Sequence, residues 1–195
     1  MLPFSPLPAS YPKSYAMRQS FHFRAATAAD LPFLHHWRAQ PHWTEWWGPA
    51  EADVGFFEEA MADPHTAAWI VELDGRPFAY AQDYDPHAWP DHHFAHLPPG
   101  SRGVDQSIGE ADLIGRGRSD PPRPWQHVRL ASCQRLFAEG APAIGTDPHP
   151  DNVRAIRAYE KAGFKITSGA IDTHWGRALL MEQWPVRPAG EARTG

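Results

Sequence analysis

One stretch near the C-terminal end, Gly145 to Phe164, constrains the fold of this chain more than any other. It reads Gly145-Thr146-Asp147-Pro148-His149-Pro150-Asp151-Asn152-Val153-Arg154-Ala155-Ile156-Arg157-Ala158-Tyr159-Glu160-Lys161-Ala162-Gly163-Phe164. A strand end runs into a polar turn, then a helix, then a stop. Asp151 or Asn152 is placed to cap the helix by accepting a bond from an unpaired first-turn amide. Val153, Ile156 and Tyr159 recur at three-residue spacing and share a face. Gly163 follows the last helical residue, where a left-handed backbone carries no Cβ penalty for glycine.

Before that stretch, strand and helix signals alternate. A short strand is expected at Phe21 to Arg24. Thr27 then caps a helix, with Asp30 in its first turn and Pro41 as its stop. A second helix is expected over Glu51 to Met61. Residues 67–73 and 78–84 flank Asp74-Gly75, a hairpin turn signal. Residues 85–101 form a loop rich in Pro, His and Asp. A strand at 103–108, a helix from Pro124 or Trp125 to Ala138, and a strand at 142–146 lead into the opening motif. Strands at 165–172 and 177–184 close the domain. The pattern predicts an α/β fold, a mixed sheet covered by helices. Residues 1–18 are expected to be a disordered, proline-rich leader, with Met17 an alternative start. Residues 19–184 form the domain, and 185–195 a disordered tail.

Composition narrows the function. With a formal net charge of −5 over 195 residues, no long basic face is offered to nucleic-acid phosphates. A mildly acidic chain suits a cationic substrate better. Cys133 is the only cysteine, so no internal disulfide is possible and a reducing, cytoplasmic setting is expected. No apolar run is long enough to span a bilayer, and the N-terminus does not read as a signal peptide. The expected partner is a small-molecule amine, and the protein a monomer or homodimer.

The order Asn152-x-x-Ala155-x-x-x-Tyr159-Glu160-Lys161-x-Gly163-Phe164 resembles the last conserved motif of the GNAT acyltransferases. Three more segments resemble one branch, the aminoglycoside 6′-N-acetyltransferases: His42-Trp43-Thr44-Glu45-Trp46-Trp47-Gly48, Gly75-Arg76-Pro77-Phe78-Ala79-Tyr80-Ala81-Gln82, and Arg102-Gly103-Val104-Asp105-Gln106-Ser107-Ile108. The four segments keep the family's order, and the resemblance covers about residues 21–184. The resemblance implies a twisted sheet with helices on both faces, splayed at the acyl-CoA site. It implies acetyl transfer from acetyl-CoA to a primary amine of an aminoglycoside-like sugar, an antibiotic-resistance chemistry. Siderophore enzymes that acylate N-hydroxylysine are near relatives, and a non-catalytic remnant is the third reading.

In that frame Asp105 orients and deprotonates the amine, and Tyr159 protonates the departing thiolate. Backbone amides near Val104, Gln106 and Ile108, with Gly115, Arg116, Gly117 and Asn152, are expected to hold the coenzyme. Asp147 and Asp83 form an acidic substrate wall, with Asp85 a weaker member. The alternative for each carboxylate is a turn or core aspartate satisfied by local amides. Trp46 and Trp47 are placed in a turn. Adjacent side chains point apart, so at most one is expected to line the pocket by cation–π contact and the other to be core. Trp69, Trp125 and Trp184 read as core. Cys133 falls inside a helix and is not expected to be a nucleophile. His87, Asp91, His92, His93 and His96 share one loop, but prolines break it and no second cluster answers it, so no metal is expected. That loop reads as a substrate-side lid or as surface.

The coenzyme turn departs from the family. Leu113-Ile114-Gly115-Arg116-Gly117 begins it well, but Arg118-Ser119-Asp120-Pro121-Pro122-Arg123-Pro124 follows where a glycine-bearing turn and helix belong. Three prolines remove three amide donors. Arg116, Arg118 and Arg123 offer positive charge in their place.

Overall fold

A computed structural model describes residues 21–52, 54–111, 114 and 124–185. The expected leader, the coenzyme turn Gly115-Arg116-Gly117, the proline-rich segment 118–123 and the tail from 186 onward lie outside the described residues. The elements run β1 (Phe21–Ala25), α1 (Leu31–Arg38), α2 (Pro41–Trp47), α3 (Phe56–Ala62), β2 (Thr66–Leu73), β3 (Arg76–Tyr84), β4 (Arg102–Ile108), α4 (Pro124–Ala138), β5 (Ile144–Thr146), α5 (Val153–Lys161), β6 (Lys165–Thr173) and β7 (Gly176–Gln183). The strands form one seven-stranded sheet in the order β1-β2-β3-β4-β5-β7-β6. All neighbours are antiparallel except β4 and β5. This is the mixed α/β sheet that the alternation predicts.

The β2–β3 turn forms where Asp74-Gly75 calls for it. Both residues have positive φ, 53° and 80°, the backbone that matches the twist of paired strands. Two helix boundaries differ from expectation. Pro41 does not only end α1; it is the first residue of α2, where its missing amide needs no partner. Trp46 and Trp47 are therefore helical. The helix expected from Glu51 starts at Phe56, after Gly55 at φ 95°. Thr27 and Asp30 do form the reciprocal capping box, and Arg24 clamps both Asp30 oxygens at 2.8 and 2.7 Å.

Strand alternation sorts the core into two sides. Ile70 and Tyr80 face α1–α3 and pack with Leu34, Trp37, Trp43 and Phe57. Val71, Ala79 and Ala81 face the other way and pack with Val128 of α4. Further along that side, Val104, Ile144 and Met181 meet Cys133, Leu136 and Tyr159.

The ladder between β4 and β5 is short. Only Arg102↔Ile144 and Gly103↔Gly145 are paired, while β4 continues to Ile108. At its last paired residue, Gly103, a Cβ would fall 2.2 Å from the Tyr84 ring on β3. Gly103→Ala should therefore force Tyr84 aside, and overpacking of this kind costs about 1–3 kcal/mol. Urea unfolding should show a lower midpoint with an unchanged slope.

Candidate active site

Beyond Gly103, β4 and β5 are no longer partners, and the open ground between them holds two carboxylates. β3 presents Tyr80, Gln82 and Tyr84 on one face, opposite Ser107, Asp105 and Gly103 of β4. Gln82 Nε2 donates to Asp105 Oδ2 at 2.9 Å. The Tyr80 hydroxyl donates to Gln82 Oε1 at 2.8 Å. Asp147, just past β5, faces the same ground. Burial first, and the Asp147 charge second, push the Asp105 carboxyl up to about 7, against the opposing bond from Gln82. A carboxylate so tuned suits proton transfer at neutral pH.

Asp147 has a neighbour that its turn sequence does not announce. His93 Nε2 lies 3.1 Å from Asp147 Oδ2, with both side chains largely buried. The His93 ring stacks on His92 at 4.3 Å. Burial pulls His92 down to about 4, helped by His93. The loop's other histidines have separate partners: His87 meets the Leu97 carbonyl and His96 meets Glu182. Among the described residues no group of three or more His, Cys, Asp or Glu is placed to hold a metal ion.

A cleft opens beside β4, bounded by α2 and the start of α5. It encloses about 550 Å³, part of it open to solvent. Trp46, Trp47, Gln106, Ile108, Asn152 and Arg154 are among its walls. Both tryptophans line it. The core tryptophan of the motif is instead Trp43, which is fully buried and donates its Nε1 to the Ile108 carbonyl at 2.7 Å. Helical spacing explains the correction. Trp43 and Trp47 are four residues apart and touch, at 5.5 Å between rings, so they share a face that runs from core to cleft.

The Acetyltransferase (GNAT) domain family matches residues 26–172. The chain belongs to the GNAT acetyltransferases. Aminoglycoside N(6′)-acetyltransferase type 1 of Klebsiella pneumoniae is 36% identical over 172 residues, which cover 82% of this chain and 81% of that protein. A kanamycin resistance protein of Rhizobium radiobacter is 43% identical over 86 residues, 44% of this chain and 73% of that protein. Among solved structures, AAC(6′)-Ib in complex with coenzyme A and kanamycin superposes with a TM-score of 0.71 at 35% identity, covering 85% of this chain and 95% of that one.

The GNAT site takes up the expected residues unevenly. Gln106, Ile108 and Asn152 line the cleft, and Asn152 also caps α5 by accepting from the Ala155 amide at 3.0 Å. Val104 lies on the same face of β4 as Gln106 and Ile108 but further along it, buried in the core rather than lining the cleft. Tyr159 is buried under the Arg129 guanidinium, 3.9 Å above its ring, with its hydroxyl bonded to Thr146 and Arg129. Burial raises its phenol, and the Arg129 charge opposes that rise. Arg129 itself is drawn down to about 10 by burial, so it stays cationic at neutral pH. Burial pushes the Cys133 thiol up to about 12, which leaves it inert.

Asp83 is a correction. It lies on the opposite face of β3 from Gln82 and is 3% exposed. Arg102 binds its Oδ1, at 2.8 Å from Nη2, while Trp69 Nε1 and Arg135 bind its Oδ2. Those partners leave it no oxygen for a substrate. Asp85 likewise serves the local backbone, accepting from the His87 amide at 2.9 Å. Trp69 is partly buried beside Asp83. Trp184 is 51% exposed rather than core, and the side chain of Trp125 lies outside the described residues. Gln82, His93 and Arg129 are the site-side residues that sequence reasoning missed. For Gln82 a signal existed, its i, i+2 spacing from Tyr80 on a strand opposite Asp105; for buried Arg129 on α4 there was none.

A raised carboxyl has a consequence for stability. The unfolded Asp105 ionises near 3.9 and the folded one near 7, so the folded state holds its proton longer. The cost of folding is absent below about pH 4, grows as pH rises, and is complete above about pH 7. Asp105→Asn should stabilise the fold by at least about 1 kcal/mol at pH 8 and by much less at pH 4.5. Thermal unfolding at the two pH values checks this.

Proposed function

We propose that this N-acetyltransferase moves the acetyl group of acetyl-CoA to the 6′-amine of an aminoglycoside. The observation that carries the reading is the Asp105–Asp147 pair, beside a tryptophan-walled cleft. Polycationic sugars bring ammonium groups and apolar ring faces, and carboxylates next to indoles answer both. The Klebsiella and Rhizobium relatives support this substrate class over N-hydroxylysine.

In this reading, Asp147 holds an ammonium and Asp105 accepts the proton that frees the amine lone pair. The amine nitrogen then forms a bond to the thioester carbonyl carbon, the carbon–sulfur bond breaks, Tyr159 gives the departing sulfur its proton, and the second proton shed by the acylated nitrogen restores the tyrosine through solvent. The Arg129 guanidinium stabilises the tyrosinate left behind. The stretch of β4 that β5 leaves unpaired, Gln106 to Ile108, suits the amide-bearing pantetheine arm, which bonds as a strand would. Arg154 and Arg129, both on the cleft wall, supply positive charge toward a phosphate-bearing ligand. Gly115, Arg116 and Gly117 retain their proposed place at the pyrophosphate.

Residues 19–184 form the catalytic domain, a reading supported by one sheet running from Phe21 to Gln183. A cytoplasmic location agrees with a single, buried, reduced cysteine. Among the described residues no helix is long and apolar enough to cross a membrane. The protein works as a monomer or homodimer.

Turnover with acetyl-CoA against kanamycin, ribostamycin and N-hydroxylysine tests the assignment. The amino sugars should be acetylated at the 6′-amine, as located by NMR of the product, and hydroxylysine should not compete. Asp105→Asn should lose roughly 10²–10⁴ in turnover, the usual share of a positioned acid–base group. Preference for hydroxylysine, or near wild-type turnover in the Asn variant, would overturn the reading.

A further inference from the structure

We propose that Tyr80 and Gln82 form a positioning relay that holds the Asp105 carboxylate through Oδ2 and directs the incoming proton to Oδ1. The proposal rests on the reading of Asp105 as the base and assigns a role to two residues behind it.

The argument follows from donors and acceptors. A carboxylate can only accept, whereas a primary amide has one accepting end and one donating end. Asp105 and Tyr80 together set which end of Gln82 faces β4: the carboxylate needs a donor, and the phenol supplies one to the other end. Tyr80 is fully buried, and burial raises its phenol well above the ordinary range, so its hydroxyl keeps its proton. It donates that proton to Gln82 Oε1 at 2.8 Å. The amide nitrogen is thereby turned to β4, where it donates to Asp105 Oδ2 at 2.9 Å. The flipped amide would set oxygen against carboxylate and leave the phenol facing an NH₂ group.

The relay has a chemical consequence. When Asp105 accepts a proton from an amine, Oδ1 is the favoured seat, because a hydroxyl at Oδ2 is a weaker acceptor for the Gln82 N–H than a carboxylate oxygen. The relay also favours the ionised carboxylate, opposing burial and the charge of Asp147. The other titratable groups coupled to Asp105 are Tyr84 on β3 and Tyr159 on α5, both phenols raised by burial and therefore neutral. Beyond them stand His93, against Asp147, and Arg129, against Tyr159. Gln82 and Tyr80 belong to the sheet itself, locked by the Gln82↔Asp105 and Tyr80↔Ser107 register. The relay is thus preorganised before any substrate arrives.

Two readouts test it, the acid limb of kcat/KM for kanamycin with saturating acetyl-CoA, and the titration of Asp105 by carboxyl ¹³C NMR in the protein alone. Gln82→Met keeps the side-chain length without the donor. It should move both midpoints upward by roughly half a pH unit or more. Tyr80→Phe removes only a hydroxyl and should move them the same way by less, since the amide keeps its N–H but loses its anchor. In the double variant the midpoints should match Gln82→Met alone, because Tyr80 acts only through Gln82. An unmoved Asp105 titration in Gln82→Met overturns the relay, as does a Tyr80→Phe shift that persists undiminished in the double variant. Asp105→Asn separates the two claims. If it keeps turnover and acid limb, the base reading fails, whereas the NMR titration of Gln82→Met still judges the relay.

Discussion

β4 and β5 are ladder partners for two residue pairs, Arg102↔Ile144 and Gly103↔Gly145, and then separate. Much of the site depends on that parting. A longer parallel ladder would satisfy the backbone of Gln106 to Ile108 within the sheet and close the cleft. Because the strands diverge, that stretch of β4 lines open space, and α5 begins across from it. The join is held close by small residues. Gly103 admits the Tyr84 ring and Gly145 admits Phe94, each at a distance where a Cβ would clash. These contacts stack a dense aromatic layer against the floor of the open region.

The sheet then treats adjacent aspartates in opposite ways. Asp83 and Asp105 are cross-strand neighbours of adjoining pairs, yet alternation sends them to opposite faces. Asp83 meets Arg102, Arg135 and Trp69 and is fully compensated. Asp105 meets one amide and a second carboxylate, Asp147. Its negative charge is under-compensated, and the fold tolerates this because the site is completed by an ammonium from outside. Structure and function therefore oppose each other at Asp105, as expected where a local rule is broken for chemistry.

Much of this was legible beforehand. The α5 motif, the Asp74-Gly75 hairpin and the place of Asp105 on a central strand follow from capping, turn chemistry and spacing. The failures share a cause: sequence spacing gives the face of a residue relative to its own element, not what the facing element brings. Asp83 looked available until Arg135 came over from α4 and Arg102 from β4. Adjacency alone predicts that Trp46 and Trp47 divide between core and cleft, but Trp43, one turn before Trp47, fills the core and both line the cleft. His93 meets Asp147 only through a long loop whose path no local rule fixes. Tyr159 sits deeper than its motif suggests, with a cation overhead that the α4 sequence does not announce.

The central claim is that Asp105 carries a proton near neutrality in the free enzyme and gives it up when a substrate ammonium completes the site. Calorimetric titration of kanamycin in buffers of different ionisation enthalpy counts protons exchanged on binding. At pH 6 the amines of the ligand are already charged, so binding should release about one proton per site, falling toward zero above about pH 8, and Asp105→Asn should abolish the release. Zero or inward proton transfer at pH 6, or an unchanged release in the Asn variant, would contradict the account.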